Sequence, residues 1–164
     1  MAALASGAIA PQFTLNDTEG KPVSLADRLK DGPVLVAFFK ISCPTCQLTL
    51  PFVQRLHDIY GGSNLTILGI SQDNASDTRE FAREFGIKLP MLLDHDGYSV
   101  SRAYGLTNVP SLFWINPDGK IRMTSVGFSK AELHELSAEA ARATGKPEKS
   151  IFRLGDKVPE FKPG

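Results

Sequence analysis

The chain carries two cysteines, Cys43 and Cys46, in the run "KISCPTCQLTL". A Cys-x-x-Cys spacing on the first turn of a helix puts two sulfurs within reach of one disulfide. The free N–H groups and positive dipole end of a helix start favour a thiolate, the nucleophile of thiol–disulfide exchange. Cys43, at the helix entrance, is then the exposed attacking sulfur, and Cys46, one turn in, the more buried resolving sulfur. Pro44 belongs at such a position, where a missing N–H costs little, and leaves the N–H groups of Thr45 and Cys46 as donors. Dithiol proteins of this kind span potentials from about −270 to about −120 mV, so both directions of electron flow stay open. Two other readings fare worse. Structural zinc takes four ligands, whereas one Cys pair with the scattered His57, His95 and His134 supplies no such set, so no metal is expected. Two buried core cysteines are chemically ordinary, but the sequence context favours a redox pair.

That context is a buried strand feeding a helix. Val34–Phe39, "VLVAFF", is too continuous for a half-exposed strand and fits one covered on both faces. The helix is expected from the cysteines to about Tyr60, with Leu48, Phe52, Leu56 and Ile59 at helical spacing. Pro51 sits inside it, and "GGSN" (61–64) ends it. An opening strand at Pro11–Leu15, a turn at "NDTEGKP" and a short helix around "SLADRL" come before. After it come a strand at Leu65–Gln72, a helix with Ser76 as N-cap and Gly86 as stop, and a short strand "MLLD". A short helix around "YSVSRAYGL" follows, then strands "SLFWIN" and "KIRMTSVG" joined through "PDG". The last helix has a capping box of Ser129 and Glu132, a hydrophobic staple of Phe128 and Leu133, and Gly145 as stop. Alternation of this kind predicts an α/β fold, a central mixed sheet with helices on both faces and an N-terminal strand extension. The expected organisation is one domain over residues 1–146 and a C-terminal tail, 147–164, packed on it or extending from it. "GAIAPQF" and "GDKVPEF" echo each other; the plainer reading is two surface segments that each tack an aromatic onto the domain.

Composition narrows the function classes. With 164 residues, 42% hydrophobic and 22% charged, the chain is that of an ordinary globular domain. A formal net charge of zero gives no basic surface for nucleic acid, and no apolar run is long enough to span a bilayer. The opening residues lack the basic and apolar regions of a signal peptide. The chain reads as cytoplasmic as given, with a periplasmic or secreted protein that has lost its leader as the alternative.

The residues "FFKISCPTC", Pro51 five places after Cys46, and "YGLTNVPSLFWINPDGKI" resemble the thioredoxin superfamily. The resemblance is to its redoxin branch of TlpA-like thiol-disulfide oxidoreductases and alkyl hydroperoxide reductase/thiol-specific antioxidant relatives. It covers most of the chain, from "APQFTLNDTEGKPVSLAD" to the last helix, and implies a thioredoxin-like fold. It also implies a cis peptide bond before Pro110 and a Val109 backbone edge that offers itself to an extended substrate segment. The implied activity is disulfide exchange through a mixed disulfide on Cys43 resolved by Cys46. Val109 and Pro110 shape the groove, and Ser42, Pro44 and Thr45 stand on its rim. Partners are protein or small-thiol disulfides and an electron-donor dithiol protein, and no cofactor is required.

Three positions depart from the pattern. An aromatic often precedes the first cysteine, where this chain has Ser42. Thioredoxins proper place a buried Asp at the position of Ala37, and TlpA-like reductases often a Glu at that of Thr49. Both usual proton acceptors for the resolving thiol are therefore missing, which leaves water, with Lys40 as a cation that lowers a nearby thiol pKa. The alternatives are a peroxiredoxin-like thiol peroxidase and a redox-switched binding module. Peroxiredoxins resemble Pro-x-x-x-Thr-x-x-Cys at their peroxide site. Val36 and Lys40 stand there before Cys43, and Phe39 and Cys43 before Cys46. A Sco-type copper site has one more residue between its cysteines.

Overall fold

The sheet is built around β3 (Val34–Phe39), whose six residues are all buried. The computed structural model describes residues 2–62 and 64–164. Strand alternation sends successive side chains of β3 to opposite faces, and two separate cores form there. Leu35, Ala37 and Phe39 pack with one, Val34, Val36 and Phe38 with the other. A strand apolar at every position is thus covered on both sides, as its sequence requires.

β4 (Thr66–Ser71) and β5 (Met91–Leu93) run parallel to β3; on its other side β6 (Ser111–Ile115) pairs antiparallel with β3, and β7 (Ile121–Val126) antiparallel with β6. The order is β5-β4-β3-β6-β7. The first face carries α2 (Pro44–Tyr60) and α5 (Lys130–Thr144), with Phe81 of α3 (Ala75–Phe85). The second carries Phe13, α1 (Leu25–Leu29) and α4 (Ser99–Ala103), which contribute Leu25, Leu29 and Val100. The mixed sheet with helices on both faces agrees with the sequence expectation.

Local differences have local causes. The opening strand is β1 (Thr14–Asn16), not Pro11–Leu15, and it pairs with β2 (Pro22–Ser24), a strand the sequence reading did not expect between its turn, which ended at Pro22, and its short helix, which began at Ser24. Asp17 makes the tight connection, its Oδ1 accepting from the Glu19 and Lys21 amides at 2.8 and 3.0 Å. The N-cap of α3 is Asn74 rather than Ser76, because its side-chain oxygen accepts from Asp77 N at 2.8 Å. The capping box of α5 is half formed. Ser129 Oγ accepts from Glu132 N at 3.1 Å, but the Glu132 carboxylate is taken by the Ser125 hydroxyl at 2.8 Å. Phe128 and Leu133 are both buried. α2 runs through Pro51 to Tyr60, and Gly61 N–H closes it on His57 O at 2.9 Å. Ser63 of the predicted "GGSN" stop lies outside the described residues.

The segment after α5 folds back along α2 toward the cysteines. Lys149 N donates to the buried Tyr60 hydroxyl at 2.8 Å, and Ile151 is buried in the first core. Phe152 lies 4.8 Å from the Phe52 ring and 4.9 Å from His134, between centroids. Arg55 grips Asp156 through two bonds of 2.7 and 3.2 Å and also donates to Ile151 O at 2.8 Å. The segment ends in β9 (Phe161–Lys162), antiparallel to β8 (Phe128–Ser129). The echo of "GAIAPQF" in "GDKVPEF" does not extend to packing: Phe13 is 6% exposed, Phe161 57%. The aromatic that this segment inserts is Phe152.

Candidate active site

The loop between β3 and α2 is pinned from three sides. Cys43 N–H returns to Lys40 O at 3.2 Å. Ile41 N–H donates to Asp73 Oδ2 at 2.8 Å, and Gln47 Nε2 donates to Ile41 O at 2.9 Å. Asp73 is itself held through its own N–H on the Ser71 hydroxyl at 3.0 Å. A carboxylate from the end of β4 and an amide from α2 thus fix where Cys43 enters the helix.

Cys43 is the N-cap of α2, and its sulfur does the work usually given to a Ser or Asp oxygen. Sγ accepts from Cys46 N at 3.2 Å. The thiol donates to Val109 O at 3.4 Å. Cys43 is half-buried and Cys46 fully buried, and both are free. Burial pushes the Cys46 thiol far up from its ordinary value, helped by its hydrogen bond with Cys43 and the negative charges of Cys43 and Asp73. The Lys40 backbone N–H acts in the opposite direction.

The remaining predicted positions divide by access. Ser42 and Pro44 are exposed beside Cys43. The Val109–Pro110 peptide is cis, with Val109 half-buried and Pro110 buried. Pro110 O accepts from Gly127 N at 2.8 Å. Thr45 is a correction. It is 4% exposed, not on an open rim, because its hydroxyl donates to Pro163 O at 2.8 Å. Ala37 and Thr49, the two positions at which the resemblance led one to look for carboxylates, are both buried, and the Thr49 hydroxyl is spent on Thr45 O at 2.7 Å. Sequence reasoning missed Asp73, Gln47 and the 161–164 segment. Asp73 and the segment come from distant parts of the chain with no spacing to mark them, and a lone Gln after a Cys pair signals nothing. Among the described residues, no group of three or more His, Cys, Asp or Glu is placed to hold a metal. No helix among them is long and apolar enough to cross a membrane.

The AhpC/TSA family profile matches residues 6–124, and the two free cysteines lie inside that span. The chain belongs to the AhpC/TSA family. Thiol-disulfide oxidoreductase ResA of Geobacillus thermodenitrificans is 31% identical over 126 residues, covering 76% of this chain and 71% of that protein. A structure described as the thiol:disulfide interchange protein DsbE of Chlorobium tepidum superposes with a TM-score of 0.76 at 25% identity, covering 87% of this chain and 99% of that one. The thioredoxin domain of a Bacteroides vulgatus thiol-disulfide oxidoreductase gives 0.72 at 27% identity, covering 83% and 97%. Within the AhpC/TSA family this chain is a thiol-disulfide oxidoreductase of thioredoxin-like fold.

Proposed function

We propose that Cys43 is the attacking and Cys46 the resolving thiol in exchange with protein or small-thiol disulfides. The observation that carries this reading is the contrast at one helix start. Cys43 Sγ faces partial solvent and accepts the Cys46 N–H at 3.2 Å, while Cys46 is sealed in the core. The Cys43 thiolate attacks one sulfur of a substrate disulfide, forming a mixed disulfide and expelling the other sulfur as thiolate. Cys46, once deprotonated, attacks Cys43 Sγ, expels the second substrate thiolate and leaves the Cys43–Cys46 disulfide. Two electrons have then passed to the substrate, and a donor dithiol protein returns them by the same exchange in reverse.

The Cys46 proton sets the pace. With Ala37 and Thr49 offering no carboxylate and the thiol held protonated by burial, the resolving step takes its base from water. Val109 and Pro110 form the edge on which substrate lies, with Ser42 and Pro44 beside it and Thr45 behind. Residues 1–146 are the catalytic domain and 147–164 a tail that docks on it. Cytoplasmic reduction is the setting we adopt, with a periplasmic or secreted setting as the alternative.

Insulin reduction with dithiothreitol as donor tests the reading. Turnover that disappears in Cys43→Ser supports it. Rapid hydrogen-peroxide consumption at Cys43 without insulin turnover would replace it by a peroxidase. Inertness in both assays with redox-dependent partner binding would leave a binding module.

A further inference from the structure

The backbone edge beside Cys43 is already occupied. β9 pairs with β8, Phe128 opposite Lys162 and Ser129 opposite Phe161, and Lys130 N–H donates to Glu160 O at 2.9 Å. The two residues beyond β9 continue into the site itself. Pro163 O takes the Thr45 hydroxyl of the CPTC turn at 2.8 Å, and Asn108 Nδ2 donates to Gly164 O at 3.3 Å. A methyl group built on Gly164 would overlap the Val109 carbonyl oxygen, the same atom that receives the Cys43 thiol. Gly127, at φ +80, lets the chain come this close: a Cβ there would stand 2.7 Å from Lys162 O. The contact is anchored upstream by Phe152, Ile151 and the Arg55–Asp156 clamp.

An extended polypeptide recognised next to Cys43 would add to the Val109 edge as a strand, through main-chain hydrogen bonds. Gly164 lies against that edge, and residues 161–162, paired with β8, lead the chain into it. A small disulfide needs no strand pairing and has a separate approach over the exposed Ser42 and Pro44. We infer that the 159–164 segment is a specificity-determining part of the site, which selects small disulfides over extended protein segments by filling the Val109 edge from within the chain. The inference rests on the dithiol reading and on the proposed role of Val109. A tethered occupant competes at a high effective concentration, so weak contacts suffice for it to exclude a free peptide.

The test compares the full chain with a chain ending at Val158, which keeps Ile151, Phe152, Asp156 and Val158 and so the anchor of the tail. A second variant, Phe152→Ala, keeps full length and removes the ring that anchors the tail upstream of the site. The substrates are hydroxyethyl disulfide and insulin, with dithiothreitol as donor, and a synthetic peptide of residues 157–164 is added back to the shortened chain. The expected result is a rise of about tenfold in kcat/KM for insulin in both variants, the change that ~1.4 kcal/mol produces. Turnover of hydroxyethyl disulfide stays within about twofold, and the peptide reverses the gain. Insulin turnover unchanged in both variants, or both substrates shifting together, overturns the inference while leaving the dithiol chemistry standing. A full chain that reduces neither substrate and behaves as Cys43→Ser overturns both.

Discussion

Phe152→Ala measures how firmly the tail belongs to the fold. The Phe152 ring sits 4.8 Å from Phe52 and 4.9 Å from His134, meets Phe128 edge-on at 6.4 Å, and lies 5.4 Å below the Lys130 ammonium. Full burial would put the cost of truncation at about 3–5 kcal/mol. Phe152 is only half-buried, and scaling by exposure leaves about 2 kcal/mol. For a chain of this length each kcal/mol moves Tm by about 2–4 °C, so the expected loss is about 4–8 °C. Phe161→Ala is the matched control. That ring is 57% exposed, and its removal should cost no more than ~0.5 kcal/mol, or about 2 °C. Differential scanning calorimetry reads both shifts, and amide exchange at Lys130, bonded to Glu160 O, reads docking of the tail directly. A Phe152→Ala shift no larger than that of Phe161→Ala, with Lys130 still protected, would refute the claim that Phe152 anchors the segment.

Three further outcomes follow from the site. Because burial holds the Cys46 thiol protonated and positions 37 and 49 supply no carboxylate, the resolving rate should rise steadily with pH across the neutral range; a flat profile in rapid-quench experiments would point to an internal base. Asp73→Asn keeps an acceptor for Ile41 N–H but removes a negative charge that disfavours the Cys46 thiolate, so resolution should quicken severalfold, and slower resolution would assign the carboxylate a proton-accepting role. The Arg55 guanidinium and the Arg153 amide hold the Asp156 carboxyl down at about 2 from an ordinary 3.8. A lowered carboxyl pKa stabilises the docked tail above the ordinary value and loses that effect as pH falls through about 2. Exchange protection at Lys149 and Lys130 should therefore fall between about pH 4 and pH 2, and Asp156→Asn should remove that step.

The parts of this protein written in short stretches were legible. Six consecutive apolar residues before a Cys-x-x-Cys required a strand covered on both faces and a helix start at Cys43, and both are present. Helix signals were legible to within a residue or two: Asn74 outcompeted Ser76 because its side chain reached the Asp77 amide first. Glu132 marked its helix correctly, yet its carboxylate went to Ser125, a partner that spacing along the helix does not reveal. What stayed hidden was contact across sequence distance. Thr45 reads as a rim residue until Pro163, 118 positions away, takes its hydroxyl. The pinning of Ile41 by Asp73 spans 32 positions and involves a main-chain N–H that every residue has. Such pairings are set by the path of the whole chain, so no local pattern encodes them.

The central claim is that Cys43 attacks and Cys46 resolves. Incubating reduced Cys46→Ser and Cys43→Ser with one equivalent of hydroxyethyl disulfide, then mapping the adducts by mass spectrometry, tests it most directly. Rapid formation of one stable mixed disulfide on Cys43 in the first variant, and none in the second, is the predicted result. An adduct formed equally fast on Cys46 of the second variant would contradict it.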